Sequence, residues 1–321
     1  MTTSSASIPY VITYGETMAL MRANQPGPLA HTSSLNLSIG GSESNVAIGL
    51  QRMGVKAIWC GRIGADSLGH LVEREIRAEG VETHVTVDDA APTGLMIKES
   101  RTPSIQRVTY YRANSAGSRL GPQDIDEDLI AGARLLHVSG ITPALSPSCQ
   151  ATLRHSIAVA QSAGTLVSFD LNYRSNLWDR ETAGKLYREI IAQSDIIFAG
   201  DDEATIAVGA GTDPEDLARK IATHGPSQVI IKLGADGAVA QIDGKIFRQN
   251  AVPVEALDTV GAGDAFVAGY LSELVLGRGP STRLQTAANT GAFACLVPGD
   301  WEGFPRRHEL QLLNAHEPVL R

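Results

Sequence analysis

Four short apolar runs decide the fold: Leu135-Leu136-His137-Val138, Thr165-Leu166-Val167-Ser168-Phe169-Asp170, Asp195-Ile196-Ile197-Phe198-Ala199 and Gln228-Val229-Ile230-Ile231-Lys232-Leu233. Segments of helical period at 147–163, 180–193, 202–208 and 214–224 separate them. Apolar runs alternating with helices are the sequence form of βαβ units, with parallel strands buried on both faces by helices above and below. Upstream the pattern differs. Residues 8–14 predict a first strand, and from Gly15 to about Leu37 short polar-interrupted runs predict more β structure. Leu68, Leu71, Val72 and Ile76 fall at helical spacing, with Asp66 as N-cap and Gly80 as the stop. Residues 94–100 and 105–112 predict a hairpin about Arg101-Thr102-Pro103-Ser104, pairing with the early β-rich stretch. These segments do not fit the parallel wind. They predict a small second sheet over the strand C-terminal edge, where open α/β sheets place ligands. Helices near 262–276 and 281–296 close the domain, so one domain over 1–321 is expected, with a lid from about 16–38 and 93–113 inserted in the α/β core.

A chain of 321 residues, 43% hydrophobic and 19% charged, can bury a large core and has no low-complexity tract. A net charge of −8 argues against a nucleic-acid partner, which needs a concentrated basic surface. A small ligand, anionic ones included, is expected instead. Cys60, Cys149 and Cys295 are too scattered for disulfides or a metal and read as small buried hydrophobes. The eight histidines form no metal-binding pair. Neither a signal-like N-terminus nor a membrane span is visible, so a cytoplasmic protein without a membrane partner is expected.

The chemistry concentrates at Asp258-Thr259-Val260-Gly261-Ala262-Gly263-Asp264-Ala265-Phe266, a glycine-rich turn entering a helical pattern. Small residues let backbone N–H groups approach a phosphate, and a helix N-terminus adds favourable potential. By position alone Asp264 is equally a helix-stabilising acid. A dinucleotide fingerprint would need glycine where Phe266 stands, and a Walker A loop needs Gly-Lys-Ser/Thr, which is absent.

The turn resembles the C-terminal signature of the ribokinase-like (PfkB) carbohydrate kinases. Gly40-Gly41, Asn45, Ala47, Met53-Gly54, Gly61, Gly64, Asp66 and Gly69 are similar to the N-terminal counterpart, and the likeness runs from about residue 10 to 310. It implies a three-layer α/β/α fold with a central mostly parallel sheet and a small β-sheet lid. It further implies Asp264 as catalytic base, with Gly261, Ala262 and Gly263 forming the anion hole, and ATP and Mg2+ as cofactors; it leaves room for a monovalent cation. This suits phosphoryl transfer, where positioning and charge stabilisation dominate and a carboxylate takes the hydroxyl proton. Lys232, Gly234 and Gly237 resemble the nucleotide-side K-x-G-x-x-G segment, although Gly-Ala-Asp-Gly also suits a hairpin turn. Asn289 matches a position near the adenine, or is a solvated helix residue. Asn172 is carried over as a cofactor contact. Where relatives have N-x-x-E to organise Mg2+ through water, this chain has Gly200-Asp201-Asp202-Glu203, so Glu203 is kept and the Asn is not; Asp201 and Asp202 also read as helix caps.

Tyr110–Ala116, Phe169–Arg174 and Gly299–Gly303 are similar to segments of 2-keto-3-deoxygluconate kinases within that family. Arg112 and Arg174 are the physical clue, because a sugar acid offers a carboxylate that guanidinium groups bind in charge-assisted pairs. The expected substrate contacts are Gly41, Asn45, Tyr110, Arg112, Arg174, Asp264 and Asp300, although each arginine alone reads equally as surface. Met96 follows Thr93-Gly94-Leu95 where the family often has an aromatic residue, which would reshape the pocket. The expected partners are a small-molecule sugar acid and ATP. A homo-oligomer, a dimer through the lid or larger, is expected because an exposed sheet edge gains from pairing. A fructokinase or another ketose or sugar-acid kinase is the alternative. A non-catalytic sensor would be marked by loss of the base or the glycine turn, and both are present.

Overall fold

The computed structural model describes residues 8–102 and 105–314. Each apolar run becomes a parallel strand. Strands β1 (Tyr10–Tyr14), β2 (Met18–Ala23), β3 (Leu35–Gly40), β4 (Lys56–Gly64), β5 (Glu82–Asp88), β6 (Leu95–Thr102) and β7 (Ile105–Tyr111) precede β8 (Leu135–Ser139), β9 (Leu166–Asp170), β10 (Ile196–Gly200), β11 (Gln228–Lys232), β12 (Ala238–Ile242) and β13 (Lys245–Gln249). The large sheet runs β13-β12-β11-β10-β9-β8-β1-β4-β5, parallel except for the antiparallel β11-β12-β13 edge. Strand order reverses between β1 and β8, which is the point where such a sheet opens a crevice at its carboxyl ends.

Alternate residues along the strands feed two cores. Val11, Trp59, Leu135, Phe198 and Ile230 pack with helices α1 (Ser42–Arg52) and α2 (Ser67–Ala78) on one face. Ile12, Val138, Phe169 and Ile231 pack on the other with α3 (Glu127–Ala131), the short α4 (Thr142–Leu145), α5 (Pro147–Ala163), α6 (Arg180–Ile191), α7 (Asp201–Val208) and α8 (Pro214–Ala222). Helices α9 (Ala262–Val275) and α10 (Pro280–Ala294) complete the first face, where Phe198 meets Tyr270 edge to face at 5.3 Å. Burial on both faces is why these strands read as continuous apolar runs.

The α2 expectation holds in detail. Asp66 accepts the Gly69 N–H at 2.7 Å, and Gly80 leaves the helix at φ +83°. Helix α5 spans 147–163 as expected, while α6, α8 and α10 stop slightly short of their expected ends. The hairpin pairs β6 with β7, its turn at Pro103 and Ser104 lying outside the described residues. The segments outside the parallel wind form a second sheet in the order β3-β2-β6-β7. Its inward face carries Met18, Leu20 and Met96, with Val108 against them. The strands β4, β5, β12 and β13 were not anticipated. Among the described residues no helix is long and apolar enough to cross a membrane. Cys60 and Cys149 are buried as expected, but Cys295 is only half-buried.

Candidate active site

Two cavities adjoin, the first of them lined in part by the small sheet. The first, about 410 Å³, is polar, and its lining includes Tyr110, Asp170, Asn172, Arg174, Asp264 and Asp300. The second, about 720 Å³, is largely apolar, with Ala235, Val252, Phe266, Ala288, Ala292 and Cys295 among its walls. Lys232, Thr259 and Gly263 line both. The junction therefore lies at the first turn of α9, whose opening N–H groups have no acceptor within the helix.

Gly261 makes that turn possible. It caps α9 at φ +78°, in the left-handed region, and a Cβ there would lie 1.8 Å from the Asp300 carbonyl oxygen. Gly261 lines the polar cavity and Ala262 the apolar one. Asp264 follows, half-buried. Ser42 Oγ donates to its Oδ1 at 2.7 Å, and Asn45 Nδ2 donates to its Oδ2 at 2.9 Å. Ser42 in turn accepts from Asn172 Nδ2 at 2.7 Å, which commits its own proton to Asp264. Each carboxylate oxygen thus takes one oriented donor and keeps lone-pair capacity toward the cavity. Enclosure raises the Asp264 pKa; the donors Asn45 and Ser42 oppose the rise without cancelling it.

The other expected residues divide. Asn45 stands behind Asp264 as its hydrogen-bond donor, and Asn172 lines the polar cavity rather than the apolar one. Gly41 caps α1 outside both linings, where a Cβ would meet the Glu16 carbonyl oxygen at 2.5 Å. Exposed Arg174 lines the polar cavity, but Arg112 does not. Arg112 lies in a neighbouring cavity of about 450 Å³, stacked over the Tyr110 ring at 5.8 Å, and its Nε donates to Glu16 at 2.7 Å. The two arginines therefore do not share one cavity, because buried Glu16 claims Arg112 first. Gly234 and Gly237 line the apolar cavity and also form the β11–β12 turn. Asn289 is absent from that lining, although its neighbour Ala288 is there.

Lys232 donates to both Asp170 oxygens, at 2.8 and 2.7 Å. Burial pulls its pKa down, but Asp170, Glu203 and Asp264 outweigh that and hold it raised. Glu203 accepts the Tyr173 and Gly200 N–H groups at 2.9 and 2.7 Å while lining the polar cavity. Among the described residues no cluster of three or more His, Cys, Asp or Glu is arranged to cage a metal.

Sequence reasoning missed Ser42, Asp170 and Lys98 as site residues. Ser42 directly follows the quoted Gly40-Gly41, and Asp170 lies within the quoted Phe169–Arg174 segment. Lys98 shares a face of β6 with Met96, and a charge on that otherwise uncharged face was the available signal.

Known proteins resemble this chain along most of its length. Residues 9–307 match the pfkB family carbohydrate kinase. The chain is 36% identical over 313 residues to the 2-dehydro-3-deoxygluconokinase of Bacillus subtilis strain 168, covering 96% of each. It is 33% identical over 292 residues to the 2-dehydro-3-deoxygalactonokinase of Haloferax volcanii, covering 90% of this chain and 92% of that one. Among solved structures, that of the PfkB protein from Polaromonas sp. JS666 aligns with a TM-score of 0.86 at 36% identity, over 94% of this chain and 99% of that one.

Proposed function

Because this chain belongs to the pfkB family of carbohydrate kinases, we propose that it moves the terminal phosphoryl group of ATP to the end hydroxyl of a keto-deoxy sugar acid. The substrate assigned is 2-keto-3-deoxygluconate, the product its 6-phosphate, and Asp264 the base. The observation that carries this reading is the meeting of a polar cavity holding Asp264, Arg174 and Asp300 with an apolar cavity at Lys232, Thr259 and Gly263. A purine suits the apolar walls, its phosphates run to the junction, and a hydroxyl-rich acid suits the polar side.

In this scheme the substrate hydroxyl hydrogen-bonds to Asp264, which Ser42 and Asn45 hold in one orientation. As its oxygen attacks the phosphorus, the proton passes to the carboxylate, and the first-turn N–H groups of α9 stabilise charge on the phosphoryl oxygens. Lys232, which lines both cavities, adds positive charge at their junction, tempered by Asp170. Mg2+, when bound, would neutralise charge on the phosphates. Asp170 and Glu203, hard oxygen donors that line the polar cavity, are the residues that would hold it.

Arg174 is the carboxylate partner on the polar side. Arg112 acts one step away, through the Tyr110 ring that both neighbouring cavities share. The two relatives named above act, by name, on keto-deoxy sugar acids that are epimers of one another. A second copy of the chain would cover the exposed Leu37 and Tyr111 of the small sheet, and sedimentation checks that assembly. The deciding experiment follows ADP release with ATP and Mg2+ over 2-keto-3-deoxygluconate, 2-keto-3-deoxygalactonate, 2-ketogluconate, fructose and ribose. Keto-acids are expected to be strongly preferred. A preference for fructose or ribose would keep a kinase and discard the acid pocket. Arg174→Ala is expected to weaken the acid substrate about tenfold or more while changing a neutral sugar little, consistent with loss of one charge-assisted contact.

A further inference from the structure

Lys98 is a lysine only 2% exposed, on the face of β6 that carries Met96, in register with Val108 of β7 and Arg22 of β2. A leucine or methionine would satisfy the alternation of that strand, and a buried ammonium is costly unless paired. It is paired across the molecule. Lys98 Nζ donates to Asp258 Oδ2 at 2.6 Å and lies 3.8 Å from Asp300 Oδ1. Asp258 is the first residue of the glycine turn. Its Oδ1 accepts the Val260 N–H inside the turn, and its Oδ2 accepts the Gly299 N–H, each at 3.1 Å. One carboxylate therefore ties together the small sheet, the turn entering α9, and the segment after α10.

Two more bonds join the same partners. Ser38 Oγ of β3 donates to Glu302 at 2.8 Å, and Trp301 Nε1 donates to the Ile39 carbonyl at 3.1 Å. The Asp300 carbonyl sits where a Cβ of Gly261 would be, so movement of this segment is felt by the turn directly. Asp258 and Asp300 are the carboxylates within reach of the Lys98 ammonium.

We propose that Lys98 is a positioning residue for phosphoryl transfer, its ammonium holding Asp258 so that the glycine turn takes its working shape only when the small sheet is seated. This rests on the reading that Gly261–Gly263 receive the transferring group. The sheet covering the substrate and the turn stabilising the reaction then share one buried charge, so disturbing either disturbs both. Lys98 also lines the polar cavity, and the role proposed for it is exerted through Asp258 rather than through contact with substrate.

The test uses Lys98→Met, which keeps the stem and removes the charge, and the double variant Lys98→Met with Asp258→Asn, which buries neither charge unpaired. Hydrogen exchange is followed in peptides covering 95–102 and 257–264, alongside kcat and KM. In Lys98→Met both peptides are expected to exchange faster, with kcat down about 100-fold and the KM for ATP within about threefold, as for a misplaced rather than absent stabilising group. The double variant is expected to be no worse than the single, the mark of a pair acting as a unit. Faster exchange confined to 95–102, or an unchanged kcat with lowered thermal stability, would overturn the proposal and leave Lys98 a purely structural ion-pair partner. Should Lys98→Met fail to fold, the double variant is read by the same criteria. If the unaltered enzyme phosphorylates no sugar acid, the functional reading fails, and the exchange data still decide for or against the coupling.

Discussion

At the scale of single residues, Asp264 and Asp300 share a cavity and differ in what surrounds them. Asp264 takes neutral donors from Ser42 and Asn45, and enclosure raises its pKa. A carboxyl whose folded pKa is raised weakens the fold as pH climbs through the interval between its unfolded and folded values, because the native state then holds a proton the unfolded chain has released. Asp264→Asn removes that cost. It is expected to melt no lower than the parent at pH 8 while turnover falls about 10²–10⁴-fold, as thermal melts and ADP release would measure. Asp300 is pushed up to about 7, chiefly by burial, with Lys98 opposing and Glu302, Asp264 and Asp258 adding to the rise. Its window runs from the ordinary carboxylate range, near pH 4, to about 7. Within it, stability from this group declines as pH rises. Asp300→Asn should therefore flatten the fall in melting temperature between pH 5 and pH 8; an unchanged slope would mean that Asp300 is not the group titrating there.

At the scale of elements, helix α9 depends on its first residue outside the helix. Gly261 is left-handed and leaves no room for a Cβ beside Asp300, whereas Gly277, just past the far end of the same helix, is left-handed at φ +73° with open space around it. The two substitutions separate strain from collision. Gly277→Ala is expected to cost about 1 kcal/mol in urea unfolding and to leave turnover intact. Gly261→Ala carries the same strain plus the clash, so a larger loss of stability and most of the turnover should go together. Elements whose signals are local were legible in the sequence: α5 from its apolar spacing, α2 from Asp66 and Gly80, and the β6–β7 hairpin from its breaker residues. Strands β4 and β5 and the β12–β13 pair were not singled out, for short apolar runs are ambiguous until neighbours pair with them.

At the scale of the whole molecule, two cavities of different lining adjoin at Lys232, Thr259 and Gly263. Ala288 lies in the apolar wall, and Ala288→Trp is expected to fill that space. In the parent, ATP at about 100 times its Kd should add about 2.7 kcal/mol of stability. The tryptophan variant should lose that gain in thermal melts while still binding sugar acid by calorimetry. Loss of both would show that the two cavities fold or close as one unit.

The parallel sheet, the helix spacing, the glycine turn and the acid at its end were all written in the sequence, because period and turn chemistry are properties of adjacent residues. Partners were not. Asp264 meets Ser42 and Asn45 across 222 and 219 residues, Lys98 meets Asp258 across 160, and Glu16 claims Arg112 from 96 residues away. Which buried charge pairs with which depends on where the small sheet crosses the carboxyl edge of the large one. Only the tertiary structure sets that crossing, because the cost of burying a charge is decided by the groups that folding brings beside it.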